Sequence, residues 1–309
     1  MTPRGSTGSS LAGTWSASGP SRAPMVVLIH GARLSRTMWA SVLPELDRDL
    51  RVVTLDLPEH GSLAGVPFTL EGAADLAARV IEAAMGNEGA AGRDAAAGRD
   101  AAAGRDPAAG RDAEESAAED GEPAPPGATA TQAVPGVVVA GHSLGGYVAA
   151  ALAVRRPDLV AGLVICSATI DPSGPARWPT WLAAAAYRLV PNRLGSRLDR
   201  LALRLRYGPS VASTVAAGGI WYRGAGRAVA DLVGRPIGSQ LAGYHGSAAL
   251  VNGIGDVPMR VGERSFHRRL PGARRVVIRG ASHLVPLDRP RELAIVIRGV
   301  VEQVSASKG

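Results

Sequence analysis

The stretch Val137-Val138-Val139-Ala140-Gly141-His142-Ser143-Leu144-Gly145-Gly146-Tyr147 decides the fold. An apolar run of strand character passes through a glycine-flanked serine into Val148-Ala149-Ala150-Ala151-Leu152-Ala153, which reads as a helix. G-x-S-x-G between a strand and a helix forms a nucleophile elbow, a turn that holds a serine hydroxyl out at the C-terminal edge of a sheet. Gly141 and Gly145 suit the turn because a Cβ at either would meet the neighbouring strand or helix. The motif alone is common. Its flanks give it meaning.

Two further segments fit the same architecture. Upstream, the buried-strand run Met25-Val26-Val27-Leu28-Ile29 ends in His30-Gly31-Ala32-Arg33. Acyl transfer builds negative charge on a carbonyl oxygen, and fixed donors must point at it. One donor in an elbow architecture is the N–H after the nucleophile, here Leu144, and the other comes from the loop after an early strand. Ala32 is the residue expected to supply it. Near the C-terminus, Arg274-Arg275-Val276-Val277-Ile278 reads as a strand, followed by Gly280-Ala281-Ser282-His283 and a helix beginning near Pro290. A histidine in a loop just past the last strand is well placed to act as a base.

Together these segments resemble the α/β-hydrolase-fold serine hydrolases of the bacterial esterase-like family, over roughly residues 25–304 less one insertion. The resemblance implies an α/β fold: a mostly parallel sheet with helices on both faces, plus a helical cap. The family's chain order is serine, acid, histidine, which implies Ser143 as nucleophile, Asp256 as acid and His283 as base. Asp256 follows the strand Ala248-Ala249-Leu250-Val251-Asn252 in Gly253-Ile254-Gly255-Asp256, where the family's G-x-x-D pattern places its acid. Pro258 comes earlier than the family pattern has it, and Asp171, after Leu163-Val164-Ile165-Cys166, is the alternative acid. The implied activity is hydrolysis of a carboxylic ester of a small or medium apolar substrate, with no cofactor and no metal. A thioester, lactone or amide would use the same residues. A serine nucleophile argues against the aspartate-dependent dehalogenases and epoxide hydrolases of this fold, and three filled triad positions argue against a non-catalytic binding protein.

Composition agrees. A chain of 309 residues can bury one substantial core and a smaller accessory region. The net charge of +7 rests on arginine, Lys308 being the sole lysine, which reads as coding bias rather than a binding face. Basic and aromatic residues do not interleave along a strand pair, so nucleic acid is not expected as a partner. No apolar run approaches the roughly 20 residues that span a bilayer, so stable membrane insertion is not expected, and a cytoplasmic protein acting on a small acyl substrate is. Residues 1–24, rich in Ser, Gly, Thr and Pro, read as a flexible segment. Cys166 reads as a small buried hydrophobe. His142, His30 and His60 read as structural, the last in Asp56-Leu57-Pro58-Glu59-His60-Gly61, which resembles the family's D-x-P-G-H-G turn.

Two regions depart from the core pattern. Residues 86–135, after a helix expected at 73–84, repeat Gly-Arg-Asp every six residues without a large apolar side chain. The repeated glycines argue against a stable helix, and the tract reads as a disordered insertion. Residues 171–246 hold seven of the twelve aromatics and read as the cap. Trp178, Trp181, Trp221 and Tyr222 are the candidate pocket residues. Leu194, Leu198, Leu201 and Leu205 have helical spacing and are expected to pack the cap onto the core. The core is thus expected at 25–85, 136–170 and 247–304.

Overall fold

Short valine-rich runs, too brief for stable helices, become a sheet that lines up its C-terminal strand ends. The structure is a computed structural model, and it describes residues 11–102, 136–173 and 177–307, the side chains of 87–102 excepted. The strands among them are β1 (Trp15–Ser18), β2 (Met25–Ile29), β3 (Arg51–Leu55), β4 (Val137–His142), β5 (Val160–Cys166), β6 (Ser247–Gly253) and β7 (Arg274–Ile278). They form one sheet in the order β1-β3-β2-β4-β5-β6-β7, parallel except for β1. Ile29 pairs with Gly141, His142 with Cys166, and Gly253 with Ile278. That register brings the loops after β2, β4, β6 and β7 to one edge, where an open parallel sheet places its ligands.

The helices are α1 (Leu43–Leu46), α2 (Leu70–Ala102), α3 (Leu144–Arg155), α4 (Arg177–Leu189), α5 (Asn192–Ala216), α6 (Tyr222–Leu232), α7 (Ile237–Gln240), α8 (Val257–Arg269), α9 (Val285–Asp288) and α10 (Pro290–Ala306). One face of the sheet is covered by α2, α3 and α8, through residues such as Ala77, Ile81, Leu152 and Phe266. The other is covered by α10 and the turn holding Met38 and Trp39, through Val296, Ile297 and Val300. Fully burying one such aliphatic side chain stabilises by about 1.5–3 kcal/mol. Burial on both faces is what the near-continuous apolar strands require. No helix among the described residues is long and apolar enough to cross a membrane.

Three expectations need correction. The segment expected to be flexible through Pro24 contains β1, which pairs antiparallel with β3 from Trp15↔Leu55 to Ser18↔Val52. Four residues without an apolar run gave no strand signal; the open edge of β3 supplies the hydrogen bonds. The helix expected at 73–84 continues as α2 to Ala102 and takes in the first two Gly-Arg-Asp repeats. Each repeat also brings three alanines, the best helix formers, against a glycine cost of about 1 kcal/mol. The rest of the tract, 103–135, lies outside the described residues. The leucine row does not pack the cap down: Leu194, Leu198, Leu201 and Leu205 are exposed, and α5 turns Gly195 and Leu203 inward instead.

Met85 and Gly136 line one cavity, so the chain leaves and re-enters the core at one place. Replacing residues 89–131 with a short Gly/Ser linker is expected to leave a cooperative thermal transition at an unchanged or slightly higher temperature. Loop closure changes by only about 0.6 kcal/mol per doubling of length. Loss of the transition in the shortened protein would mean that the tract packs against the core.

Candidate active site

Ser143 sits between β4 and α3 with φ 50° and ψ −116°, a conformation disfavoured for a residue with a Cβ and costing on the order of 1–3 kcal/mol. The glycines around it let the turn close. A Cβ on Gly145 would overlap the carbonyl oxygens of Ile29 and His30, and one on Gly141 would overlap the backbone of Gly145. The strain is held in place by packing on both sides of the serine.

The three residues expected to act together meet. The Ser143 hydroxyl donates to His283 Nε2 at 3.1 Å, and His283 Nδ1–H donates to Asp256 Oδ2 at 2.8 Å. Asp256 is buried at the start of α8, while the His283 ring is partly exposed, as a base facing substrate requires. Asp171 does not approach the histidine. Its carboxylate pairs with Arg269 and accepts from Ser173. The alternative acid is engaged elsewhere.

The loop after β2 lies over the serine, since a Cβ on Gly31 would come within 3.3 Å of Ser143 Cβ. Gly31 N–H points to Met38 Sδ at 3.3 Å and Arg33 N–H donates to His60 Nε2 at 3.2 Å. These bonds pin the loop on both sides of Ala32. Leu144 is the first residue of α3, so its N–H is one of the donors a helix start leaves without an intrahelical partner. His30 accepts from Leu57 N–H at 2.9 Å and ties this loop to the one after β3.

Two contacts were missed in the sequence. His142 Nε2–H donates to the backbone oxygen of His283 at 2.7 Å, so the residue before the serine holds the main chain of the histidine. Asp288 holds the same loop from the other end. Its Oδ2 accepts from Ser282 N–H at 2.7 Å and Ser282 Oγ–H at 2.8 Å, while Oδ1 accepts from Tyr207 at 2.7 Å and Arg206 at 2.8 Å. Burial alone would raise this carboxyl, but those hydrogen bonds outweigh it and hold it below the usual range. The spacing of Asp288 five residues after His283 was the available signal. Cys166 is buried, and burial pushes its thiol well up, away from thiolate chemistry.

The expected pocket aromatics divide. Trp178 and Trp181 stand exposed on α4, and Trp181 borders a cavity with Ala184, Arg188 and Ala230, remote in the chain from the serine and histidine loops. No hydrogen bond or ring contact links either tryptophan to Ser143 or His283 among the described residues. The Trp221 backbone N–H donates to Arg33 O at 2.7 Å, and the Tyr222 hydroxyl accepts from Arg33 Nη1 at 3.1 Å, so these two residues flank the loop over Ser143. A cavity of about 80 Å³ lies between the loop after β2, α5 and the residue after His283, its lining including Arg33, Asp199, Leu203, Arg206, Tyr207 and Leu284. It is far smaller than the roughly 300–1,000 Å³ of a drug-sized pocket.

Buried imidazoles make the fold sensitive to acid. Burial lowers His142 and His60 to about 3 each, the first helped by His283 and the second by His30. An unfolded histidine titrates near 6.5. The folded values lie below that, so the unfolded chain binds more protons as pH falls. The stability these neutral rings contribute is present above about pH 6.5 and is lost progressively towards pH 3, at up to about 1.4 kcal/mol per pH unit per histidine. Urea unfolding from about pH 7 to about pH 5 should show this fall, with a shallower slope in His60→Gln. A slope unchanged by that substitution would mean His60 is not held neutral.

A family model described as the Alpha/beta hydrolase family matches residues 26–296. The chain is 28% identical to the pimeloyl-[acyl-carrier protein] methyl ester esterase of Neisseria meningitidis serogroup C, over 92% of this chain and 96% of that one. In structure it resembles a thermophilic esterase from Thermogutta terrifontis, with TM-score 0.65 and 22% identity over 94% and 93% of the two chains. It also resembles the enol-lactonase from Burkholderia xenovorans LB400, with TM-score 0.62 and 17% identity over 94% and 98%.

Proposed function

The chain belongs to the alpha/beta hydrolase family, and from that premise we propose that it is a serine esterase cleaving carboxylic esters of small or medium apolar substrates through an acyl-enzyme. The observation that carries the reading is the unbroken line from Asp256 through His283 to Ser143, at 2.8 and 3.1 Å. His283 Nε2 takes the hydroxyl proton as Ser143 Oγ attacks the ester carbonyl. Asp256 fixes the tautomer and stabilises the imidazolium that forms. The N–H groups of Ala32 and Leu144 receive the oxyanion, each such donor lowering the barrier by about 3 kcal/mol.

Collapse of that intermediate breaks the bond to the alkoxy oxygen, which leaves with the proton from His283. Water then gives a proton to His283 and its oxygen attacks the acyl-enzyme. The second collapse releases the acid and returns the proton to Ser143. The small cavity beside Leu284 supports a compact group on one side of the scissile bond. The name of the Neisseria relative, a methyl ester esterase, is consistent with a small leaving alcohol. Cytoplasmic action on a small acyl substrate is part of the proposal.

A series of p-nitrophenyl esters of increasing acyl length, run beside methyl esters, acyl-thioesters and lactones, tests this reading. The expected result is highest kcat/KM on an oxygen ester of short to medium chain. Turnover of the thioesters alone would overturn it.

A further inference from the structure

The first half of α5 presents faces of different chemistry. Gly195, Asp199, Leu203 and Tyr207 turn towards the body of the protein, and the outer side carries Leu194, Leu198, Leu201 and Leu205 at 53 to 79% exposure. Each leucine directly follows an arginine: Arg193, Arg197, Arg200 and Arg204, all exposed. At 3.6 residues per turn the arginines form a second row about 100° round the helix from the leucines. None of the four has a carboxylate partner among the described residues. The helix before it adds exposed Trp178, Trp181 and Leu189.

The charge of this region is one-sided. Residues 171–246 contain ten arginines and three aspartates, a formal +7 that equals the net charge of the whole chain. All three aspartates are already engaged, Asp171 with Arg269, Asp199 with Arg33 and Asp231 with Arg235. What remains outward on α5 is cation beside hydrocarbon.

We propose that this face docks on an anionic lipid bilayer, with α5 lying in the plane of the surface. Leucines sunk to the headgroup boundary beside arginines that reach lipid phosphates are the arrangement of an interfacial helix. A second copy of the chain is a poorer occupant, because it would set arginine row near arginine row with no carboxylate on that face to neutralise them. A soluble acidic protein would satisfy the arginines and leave the leucines unexplained.

The same helix edge leads to the active site. Ala202 lies within a turn of Leu198 and Leu205 and lines the cavity that reaches Leu284, next to His283. Resting on the esterase reading, the proposal has a small or medium apolar ester partition into the bilayer and enter from it beside that cavity.

Sedimentation of the full-length protein with vesicles tests it, using phosphatidylcholine alone and phosphatidylcholine with phosphatidylglycerol. Binding is expected to the anionic vesicles and to weaken with salt. The triple variant Arg197→Gln, Arg200→Gln, Arg204→Gln should lose on the order of fivefold in affinity per arginine. Leu198→Gln, Leu201→Gln, Leu205→Gln should also release the protein, and both variants should keep wild-type turnover of a soluble short-chain ester, which reports a sound fold. Absence of binding to anionic vesicles, or equal binding to both kinds, overturns the proposal. So does a wild-type dimer that the leucine variant dissolves, or displacement from vesicles by an acidic acyl-carrier protein. Measuring binding and turnover of a soluble ester on the same wild-type protein separates the outcomes: docking without turnover leaves the surface assignment standing, and turnover without docking leaves the esterase reading standing.

Discussion

Ser143→Ala is expected to lower ester turnover on the order of 10⁵- to 10⁶-fold, the scale seen when a triad serine is removed. The loss should fall on kcat with KM little changed, because the hydroxyl acts on the reacting carbon and contributes little ground-state binding. The fold should survive. Ser143 is only partly buried, and the turn is closed by Gly141, Gly145 and the loop after β2, none of which the substitution alters. A thermal transition within a few degrees of wild type, together with lost turnover, is the expected pair of results. Retained turnover would remove Ser143 from the proposed mechanism.

Asp256→Asn is expected to cost on the order of 10⁴-fold in kcat. The carboxylate oxygen accepts from His283 Nδ1–H at 2.8 Å; an amide can present its NH₂ there and favour the tautomer with Nδ1 unprotonated. Nε2 would then carry the proton and could not accept one from Ser143. Asp171→Asn is the control, and a small effect is expected, since that carboxylate serves Arg269 and Ser173. A larger loss from the control than from Asp256→Asn would transfer the acid role.

The turn around Ser143 was legible because its chemistry is local. Glycines at 141 and 145 and the apolar runs on each side are all written within a few residues. Strands β2, β4, β5, β6 and β7 were legible for the same reason, and once their C-terminal ends are aligned, Asp256 and His283 are separated from β6 and β7 by loops of a few residues. The parallel sheet therefore assembles the site with little further information.

Facing was not legible. Helical spacing separates Leu194, Leu198, Leu201 and Leu205 from the rest of α5, but it does not say which side of the helix meets the core. Small Gly195 and single Leu203 took the buried side, with Gly195 set against the Tyr222 ring. The same gap left unread which side of α4 Trp178 and Trp181 would take, and both are exposed. His142 and Asp288 act through the backbone of the His283 loop, a contact set by tertiary position. The extension of α2 to Ala102 turned on alanine propensity outweighing glycine, two small opposing preferences summed over each repeat.

Peptide mapping after reaction with a fluorophosphonate tests the central claim most directly, because the reagent phosphonylates an activated serine and stays attached. The account predicts one adduct, on the peptide carrying Ser143, formed by wild type and absent from Ser143→Ala, with labelling slowed strongly in Asp256→Asn. An adduct on another residue, or equal labelling of wild type and Ser143→Ala, would contradict it.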